Sequence, residues 1–269
     1  MGKNLNVSIV LYKSEYSEIS TLVNSLKAET CINQIYLIDN SPKKNSVFAI
    51  GDSHYIFTGK NLGYGAGHNI AIQKSIKDGV KYHLVINSDI NIENNSLLKL
   101  LDYLDSNIDV GMIMPKVKNE DGSYQLLPKL LPSPIDLFIR VFPFFKSIAK
   151  GRSRLYVLAD HQNVVLNVPI ISGCFSLFRV EALKKVGLYD ENFFMYFEDF
   201  DLSRRIHAIY KTIYYPEVSV IHAHERGAAK SFKLFKIFIL SAITYFNKYG
   251  WFFDKERKSM NNEILNQIK

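Results

Sequence analysis

The chemistry-bearing stretch of this 269-residue chain is "DENFFMYFEDFDLSRR", residues 190–205. It sets Glu198, Asp199 and Asp201 among Phe193, Phe194, Tyr196, Phe197 and Phe200. Apolar surroundings raise a carboxylate's pKa and make it a stronger base, suited to deprotonating an incoming hydroxyl. Acids that merely open a helix gain only about 0.3–1 kcal/mol from its dipole. That structural role would account for an isolated pair of acids but not for the aromatic bracket. A second acid, Asp89, ends the apolar run "HLVINSD". One aspartate there suits a divalent cation bridging a diphosphate, because magnesium and manganese take oxygen ligands and keep several waters. A histidine of "HAH" (222–224), following "EVSVI", could add an imidazole, which manganese accepts. Asp39 and Asn40 follow "IYLI". Asp39 could accept hydrogen bonds from a base or a ribose, or simply close the Asx turn that Asn40-Ser41-Pro42 favours.

Between these lies "GKNLGYGAGHN", residues 59–69. A dinucleotide fingerprint needs G-x-G-x-x-G in the first strand-to-helix turn. Gly63 and Gly65 supply its first half, but His68 stands where the third glycine belongs, and strand-like runs precede it. The stretch is expected instead to let backbone approach another kind of nucleotide.

These residues need a scaffold, and the hydrophobic patterning describes one. Strands are predicted at 6–12, 34–40, 54–59, 82–90 and 111–117, with amphipathic helices at 17–26, 68–79 and 95–106. Such alternation predicts an α/β fold around a mixed, mostly parallel sheet flanked by helices. Residues 119–136 hold three prolines and read as loop. Beyond them, 167–179 and 214–222 are strand-like, and 202–210 is helical with Leu202, Ile206 and Ile209 inward. Two helices broken at "KYGW" fill 231–267. The expected organisation is one domain over 1–230, its first part to about 117 holding the nucleotide-site candidates and 118–230 the aromatic-bracketed acids. A helical extension over 231–269 follows. In an open sheet of this kind ligands collect outside the carboxyl ends of the strands, where Asp39, Asn61–Asn69, Asn87–Asp89 and His222 all fall.

Bulk properties narrow the class. The chain is 47% hydrophobic and 22% charged, ordinary for a globular protein. Two cysteines, Cys31 and Cys174, make no disulfide framework or zinc-ligand spacing, which fits a reducing, cytoplasmic setting. No signal peptide, myristoylation signal or membrane-spanning run of about 18 apolar residues is visible. The net charge of +7 concentrates at 140–156 and 230–238, where Lys and Arg interleave with Phe, Ile and Leu. Solvated lysines beside core aromatics would give that pattern, and so would a surface resting on anionic lipid. No nucleic-acid-binding motif accompanies the charge.

Taken in order, "SIVLY", "LIDNS", "NLGYGAGHN", "VINSD", "ISGCFSLFRVEALKKVGLYDENFFMYFEDFDLSRR" and "YYPEVSVIHAHERGAAKS" resemble the family 2 glycosyltransferases of GT-A fold, within their rhamnosyltransferase-like branch. The resemblance runs from about residue 6 to 231, and the segment 171–205 is its most specific part. It implies inverting transfer of a sugar from a nucleoside diphosphate to an acceptor hydroxyl. By position, Tyr12, Asp39, Asn40, Asn61, Gly63, Gly65, Asn69, Asn87 and Asp89 would bind the donor nucleotide. Asn87-Ser88-Asp89 occupies the family's D-x-D place with Asn for the first acid, so metal binding would rest on Asp89 with His222, or with His224 as the fallback. Asp199 would be the general base, with Glu198 orienting it or binding acceptor, and Gly173, Cys174 and Asp201 would sit at the acceptor. The branch points to dTDP-rhamnose as donor, a lipid-linked glycan as acceptor, a manganese or magnesium ion, and work on the inner face of a bacterial plasma membrane. UDP- or GDP-hexose or galactofuranose donors are the alternatives within the reaction. A nucleotidyltransferase would carry a glycine-rich loop near its start, where "VSIVLYKSEYSE" has none. A non-catalytic nucleotide-sugar-binding protein is left open by the Asn of "NSD" but is opposed by the retained "FED".

Overall fold

The computed structural model describes residues 2, 4–93, 95–141, 149–223 and 231–269. Strands β1 (Leu5–Leu11), β2 (Ile32–Asp39), β3 (His54–Phe57) and β4 (Tyr82–Ile86) form a parallel half-sheet in the order β3-β2-β1-β4. Helices α1 (Tyr16–Lys27) and α2 (Tyr64–Asp78) make two of the crossovers. β5 (Ile90–Ile92), α3 (Ser96–Ser106) and β6 (Val110–Lys118) follow, then α4 (Pro134–Val141), α5 (Lys150–Tyr156), β7 (Leu166–Asn167) and β8 (Phe175–Arg179). The chain continues through α6 (Val180–Val186), α7 (Glu198–His207) and β9 (Lys211–His222) to α8 (Phe232–Tyr249) and α9 (Lys255–Gln267). The sheet runs on from β4 as β8-β6-β9-β5, with β7 also paired to β9.

β8 runs antiparallel to both β4 and β6, while β6 and β9 are parallel. This one reversal gathers the chemistry. A parallel strand would start at the far edge, whereas β8 starts where β4 ends, with Ile86 opposite Phe175. The Asn87 N–H donates to the Cys174 carbonyl at 3.0 Å. β9 ends at the same edge, where β5 pairs back onto it with Ile90 opposite His222.

Alternation along β1 assigns the two faces of the sheet. Leu5, Val7, Ile9 and Leu11 join a core with Ile19, Leu22, Val23 and Leu26 of α1 and Leu97, Leu100, Leu101 and Leu104 of α3. The other face carries Asn6 and Ser8, both fully buried under α2. Ser8 Oγ lies 2.7 Å from His68 Nδ1 and 2.8 Å from His83 Nε2, and Ser75 Oγ lies 2.7 Å from His83 Nδ1. Further along this face Val85, Met112, Phe178, Leu202 and Ile206 form the second apolar core, completed by Ile264 of α9. The last two helices are therefore packed into the fold. Tyr245 and Phe246 of α8 meet Phe193 and Phe197, and the Arg204 guanidinium of α7 makes a bidentate pair with Asp254 at 2.7 and 2.6 Å.

Several expected boundaries shift. α2 begins at Tyr64, so Gly65, Gly67 and His68 are helical. The predicted strand 82–90 breaks into β4 and β5 around Asn87–Asp89, and 167–179 splits into β7 and β8. α7 starts at Glu198 and ends at His207, so the three acids occupy its first turn. Ile209, expected inward, is half exposed beyond the helix end. α4, α5 and α6 were not anticipated, and α4 begins inside the stretch 119–136 read as loop.

Burial holds the His83 imidazole down at about 3 and keeps His68 well below the ordinary histidine value. The unfolded chain takes up protons at these rings near pH 6.5, and the folded one does not. Stability present above pH 6.5 is therefore lost on acidification towards pH 3, by up to about 1.4 kcal/mol per pH unit per histidine. His83→Gln should give a shallower pH slope than the native chain in urea unfolding between neutral pH and pH 5; identical slopes would refute this.

Candidate active site

The reversed strand and the two sheet ends enclose a cavity of about 230 Å³. Its walls include Asn87 and His222 on one side and Glu198 and Asp199 on the other, with Tyr64, Gly173 and Cys174 between them. Asp89 stands behind the first wall, its Oδ1 3.1 Å from His222 Nε2. Asp199 thus faces the cleft directly, and Asp89 meets it through His222.

Glu198 and Asp199 are presented by an unusual helix start. Tyr196 and Phe197 both have positive φ, at 69° and 66°, a region L-residues seldom occupy. Their aromatic packing holds them there. Phe197 is buried with Tyr245 and Phe238, at ring separations of 5.5 and 5.4 Å. The two acids differ in what meets their charge. Asp199 Oδ2 accepts the Gly173 N–H and Oδ1 the Phe200 N–H, each at 3.0 Å. Glu198 Oε2 is buried with no hydrogen-bond partner. Burial raises both carboxyls, and the Asp199 charge adds to the rise at Glu198. At Asp199 the Gly173 and Phe200 amides and the nearby Lys129 ammonium oppose it. Asp199 is consequently the member held ionised, and Glu198 the member that keeps a proton.

On the opposite wall, His222 Nδ1 lies 3.0 Å from Gln125 Oε1, while Gln125 Nε2 donates to the His222 carbonyl at 3.2 Å. An amide oxygen only accepts, so Nδ1 carries a proton and Nε2 faces Asp89. Burial pushes this imidazole down, but its hydrogen bonds to Asp89 and Cys174 outweigh that and hold it at about 9. The proton between Nε2 and Asp89 occupies a place that a divalent cation would take. An imidazole and a carboxylate converging at this distance fit a manganese or magnesium ion whose remaining ligands are diphosphate oxygens and water. Among the described residues no three His, Cys, Asp or Glu side chains are grouped to hold a metal. His224 lies outside the described residues.

The remaining expected donor residues form a shelf along the ends of β1, β2 and β3, beside the cavity. Tyr12 is exposed there. Asp39 is fully buried, its Oδ1 accepting the Ser41 N–H at 2.9 Å and Oδ2 the Tyr55 hydroxyl at 2.6 Å. Its carboxylate is engaged as a turn anchor, the second of the two roles the sequence offered for it. Asn40 donates to the Gly63 carbonyl at 2.9 Å, and Asn61 accepts the Gly63 N–H at 3.0 Å. Asn69 is also occupied: its amide donates to the Tyr189 carbonyl at 2.9 Å and accepts the Tyr189 N–H at 3.0 Å. Asp201 is fully buried away from the cleft, held by Arg205, Lys248 and the Tyr249 hydroxyl. Asp201, expected at the acceptor, is not among the residues that line the cavity.

Three site residues gave no sequence signal. The Tyr64 hydroxyl spans the cavity, 2.6 Å from the Gly173 carbonyl and 2.8 Å from Asn87 Oδ1, its one proton shared between them. Gln125 lies in an aperiodic loop. Lys129 is nearly buried, and burial lowers its ammonium to about 8 against the opposing charge of Asp199.

A mixed sheet with a reversed strand and a cleft at its carboxyl edge is the architecture of nucleotide-sugar enzymes of GT-A fold. The chain belongs to glycosyl transferase family 2, whose family model matches residues 7–187. It is 24% identical over 208 residues to the low-salt glycan biosynthesis hexosyltransferase Agl10 of Haloferax volcanii, covering 76% of this chain and 62% of that protein. It is 30% identical over 190 residues to the N-acetylglucosaminyl-diphospho-decaprenol L-rhamnosyltransferase of Mycobacterium tuberculosis, covering 63% and 59%. Each match thus spans about three-fifths of the relative. Rhamnosyltransferase WbbL of Escherichia coli is 24% identical over 251 residues, covering 88% and 90%. Among solved structures, GalNAc-T7 with UDP, GalNAc and Mn2+ has a TM-score of 0.62 at 16% identity, covering 89% of this chain and 47% of that one. The mannosyltransferase PcManGT of Pyrobaculum calidifontis with GDP-Man and Mn2+ has 0.55 at 14%, covering 84% and 59%. These likenesses are of fold.

Gly63 joins the shelf to the loop that precedes Glu198. Its φ is +91°, and a Cβ there would lie 2.2 Å from the Phe194 carbonyl oxygen, which accepts the Tyr64 N–H at 2.9 Å. Gly63→Ala should destabilise the chain by more than about 1 kcal/mol and lower its thermal midpoint; an unchanged midpoint would show that the two loops part freely.

Proposed function

We propose that the chain is an inverting glycosyltransferase that moves a sugar, rhamnose from dTDP-rhamnose, onto a hydroxyl of a lipid-linked glycan. What carries this reading is the single cleft faced by the Asp89–His222 pair and by an Asp199 kept anionic by two backbone N–H groups. The named relatives in Mycobacterium and Escherichia support rhamnose as the sugar. The decaprenol in the mycobacterial relative's name supports a lipid-carried acceptor. Among the described residues no helix is long and apolar enough to cross a membrane. In this reading the enzyme meets its acceptor from the cytoplasmic face as a peripheral protein.

The acceptor hydroxyl lies against Asp199, with Glu198 donating to a neighbouring acceptor oxygen. Asp199 takes the hydroxyl proton as the oxygen bonds to the anomeric carbon. The bond from that carbon to the diphosphate breaks on the opposite face, and its electron pair leaves with the phosphate. Inversion follows from this in-line geometry. Asp89 and His222 would hold a divalent cation, which when bound neutralises charge growing on the diphosphate. Gly173 fixes the base through its N–H, and Cys174 lines the acceptor side. Exposed Tyr12 offers its ring to the nucleobase, while Asp39, Asn40, Asn61, Gly63, Gly65 and Asn69 shape the shelf from below.

Asp199→Asn removes the base but keeps the size of the side chain. Transfer should fall about 100- to 10,000-fold, with nucleotide-sugar binding and thermal midpoint retained; near-native turnover would overturn the assignment. In the native enzyme, turnover should fall on acidification through a pKa above the ordinary aspartate value, because the base must be ionised and burial raises it. Asp89→Ala should abolish cation-dependent turnover, including slow hydrolysis of the donor. Retained hydrolysis in that variant would favour a site built without the Asp89–His222 pair.

A further inference from the structure

α8 has two faces of different fate. Ala242, Tyr245 and Phe246 point inward, and Ser241 Oγ donates to the Met195 carbonyl at 2.8 Å. The adjacent side, about a quarter-turn around the helix, bears Phe232, Phe235, Ile239 and Ile243, spaced three and four apart so that they form one stripe. Phe232 is 84% exposed, and Phe235 and Ile243 are exposed as well. Lys233 and Lys236 flank the stripe in solvent.

The turn after α8 continues this surface with Trp251, Phe252 and Phe253, the last two 71% and 97% exposed. Its presentation is fixed from beneath. Gly250 takes φ +97°, and Trp251 Nε1 donates to Asn247 Oδ1 at 2.9 Å while its ring packs 5.2 Å from Phe246. Asp254 accepts the Arg257 N–H at 2.9 Å to start α9 and is locked to buried Arg204. Arg257 Nη2 donates to the Phe252 carbonyl at 3.2 Å. Folding thus holds two phenylalanines in water on an anchored turn, where burial of their rings would otherwise be favourable. Exposed apolar patches rimmed by charge mark interaction surfaces.

Charge identifies the occupant. Residues 231–269 contain seven Lys or Arg and three carboxylates, and Asp254 and Glu256 are both engaged by Arg204. Lys233, Lys236, Lys255 and Lys258 are left facing solvent beside the aromatics. Aromatic rings at headgroup depth with lysines among them suit an anionic bilayer, on which an amphipathic helix lies in plane.

We infer that the outward stripe of α8 and the Trp251–Phe253 turn dock the enzyme on an anionic lipid surface. The inward side of α8 touches the cleft wall directly: Phe238 packs 5.8 Å from Tyr196, and both Met195 and Tyr196 line the cavity. A docked α8 therefore sets the acceptor wall one helix diameter, ~10 Å, above the headgroups. The inference deepens the reading of a lipid-carried acceptor and rests on it for the purpose of the surface.

Flotation of the full chain with phosphatidylcholine vesicles containing about a quarter phosphatidylglycerol tests the surface in the absence of any substrate. The chain should float with these vesicles, fail to float with pure phosphatidylcholine, and release at high salt. Phe252→Ser with Phe253→Ser, and separately Lys233→Glu with Lys236→Glu, should each cut the bound fraction about tenfold. Both variants should retain the native melting temperature and donor hydrolysis. No flotation, flotation insensitive to both variants, or a dimer in light scattering that either variant splits would overturn the inference, the last in favour of a second copy. A chain that floats as described but transfers no sugar would refute the proposed reaction and leave the docking surface standing.

Discussion

Two adjacent carboxylates buried at one helix start set the terms for this structure. Placing Glu198 and Asp199 out of water is costly unless the charge is met or a proton is kept. The fold does one of each. Asp199 receives the amides of Gly173 and Phe200, whereas Glu198 has a partnerless oxygen. The Gly173 amide comes from the segment leading into β8, so the reversal of that strand supplies the donor. Tyr196 and Phe197 adopt left-handed backbone to aim the helix start, and α8 supplies the aromatic packing that retains them. Catalytic wall, reversed strand and C-terminal helices are thus one energetic unit.

The other wall follows similar economy. His222 is oriented from behind by Gln125, which fixes the proton on Nδ1 and presents Nε2 to Asp89. Asn87 stands where the resemblance expects an acid, and its amide reaches two ways: Oδ1 meets the Tyr64 hydroxyl and Nδ2 lies 3.5 Å from His222. A second carboxylate in that position would face the Gly173 carbonyl environment through Tyr64. The amide keeps the strap intact without adding charge.

Much of the scaffold was legible because hydrophobic alternation and periodicity report burial directly. The parallel strands, α1, α3 and the two terminal helices fall where the patterns put them. The reversal of β8 was not legible, since a short buried strand reads the same in either direction. Glycine spacing misled for a physical reason. Gly65 and Gly67 look like a ligand loop, yet they lie inside α2, where a Cβ would come within 2.8 Å of Tyr189 and Val10 respectively. Polar residues at strand ends were ambiguous in the same way. Asp39 and Asn69 carry side chains that a ligand could use, but the protein's own groups already engage them. Tyr64, Gln125 and Lys129 reach the cleft only through tertiary folding, which no local pattern encodes.

The pairing of Asn69 with both backbone groups of Tyr189 makes one side-chain amide act as a missing peptide unit between α2 and the segment entering the catalytic loop. Spontaneous deamidation would convert it to aspartate, exchanging the donor for an anionic oxygen aimed at the Tyr189 carbonyl and at Glu191, 3.2 Å away. Repulsion would then replace attraction at this half-buried seam. Chemical ageing of this single amide is thus a route by which the enzyme could lose its cleft without any change in its genetic code.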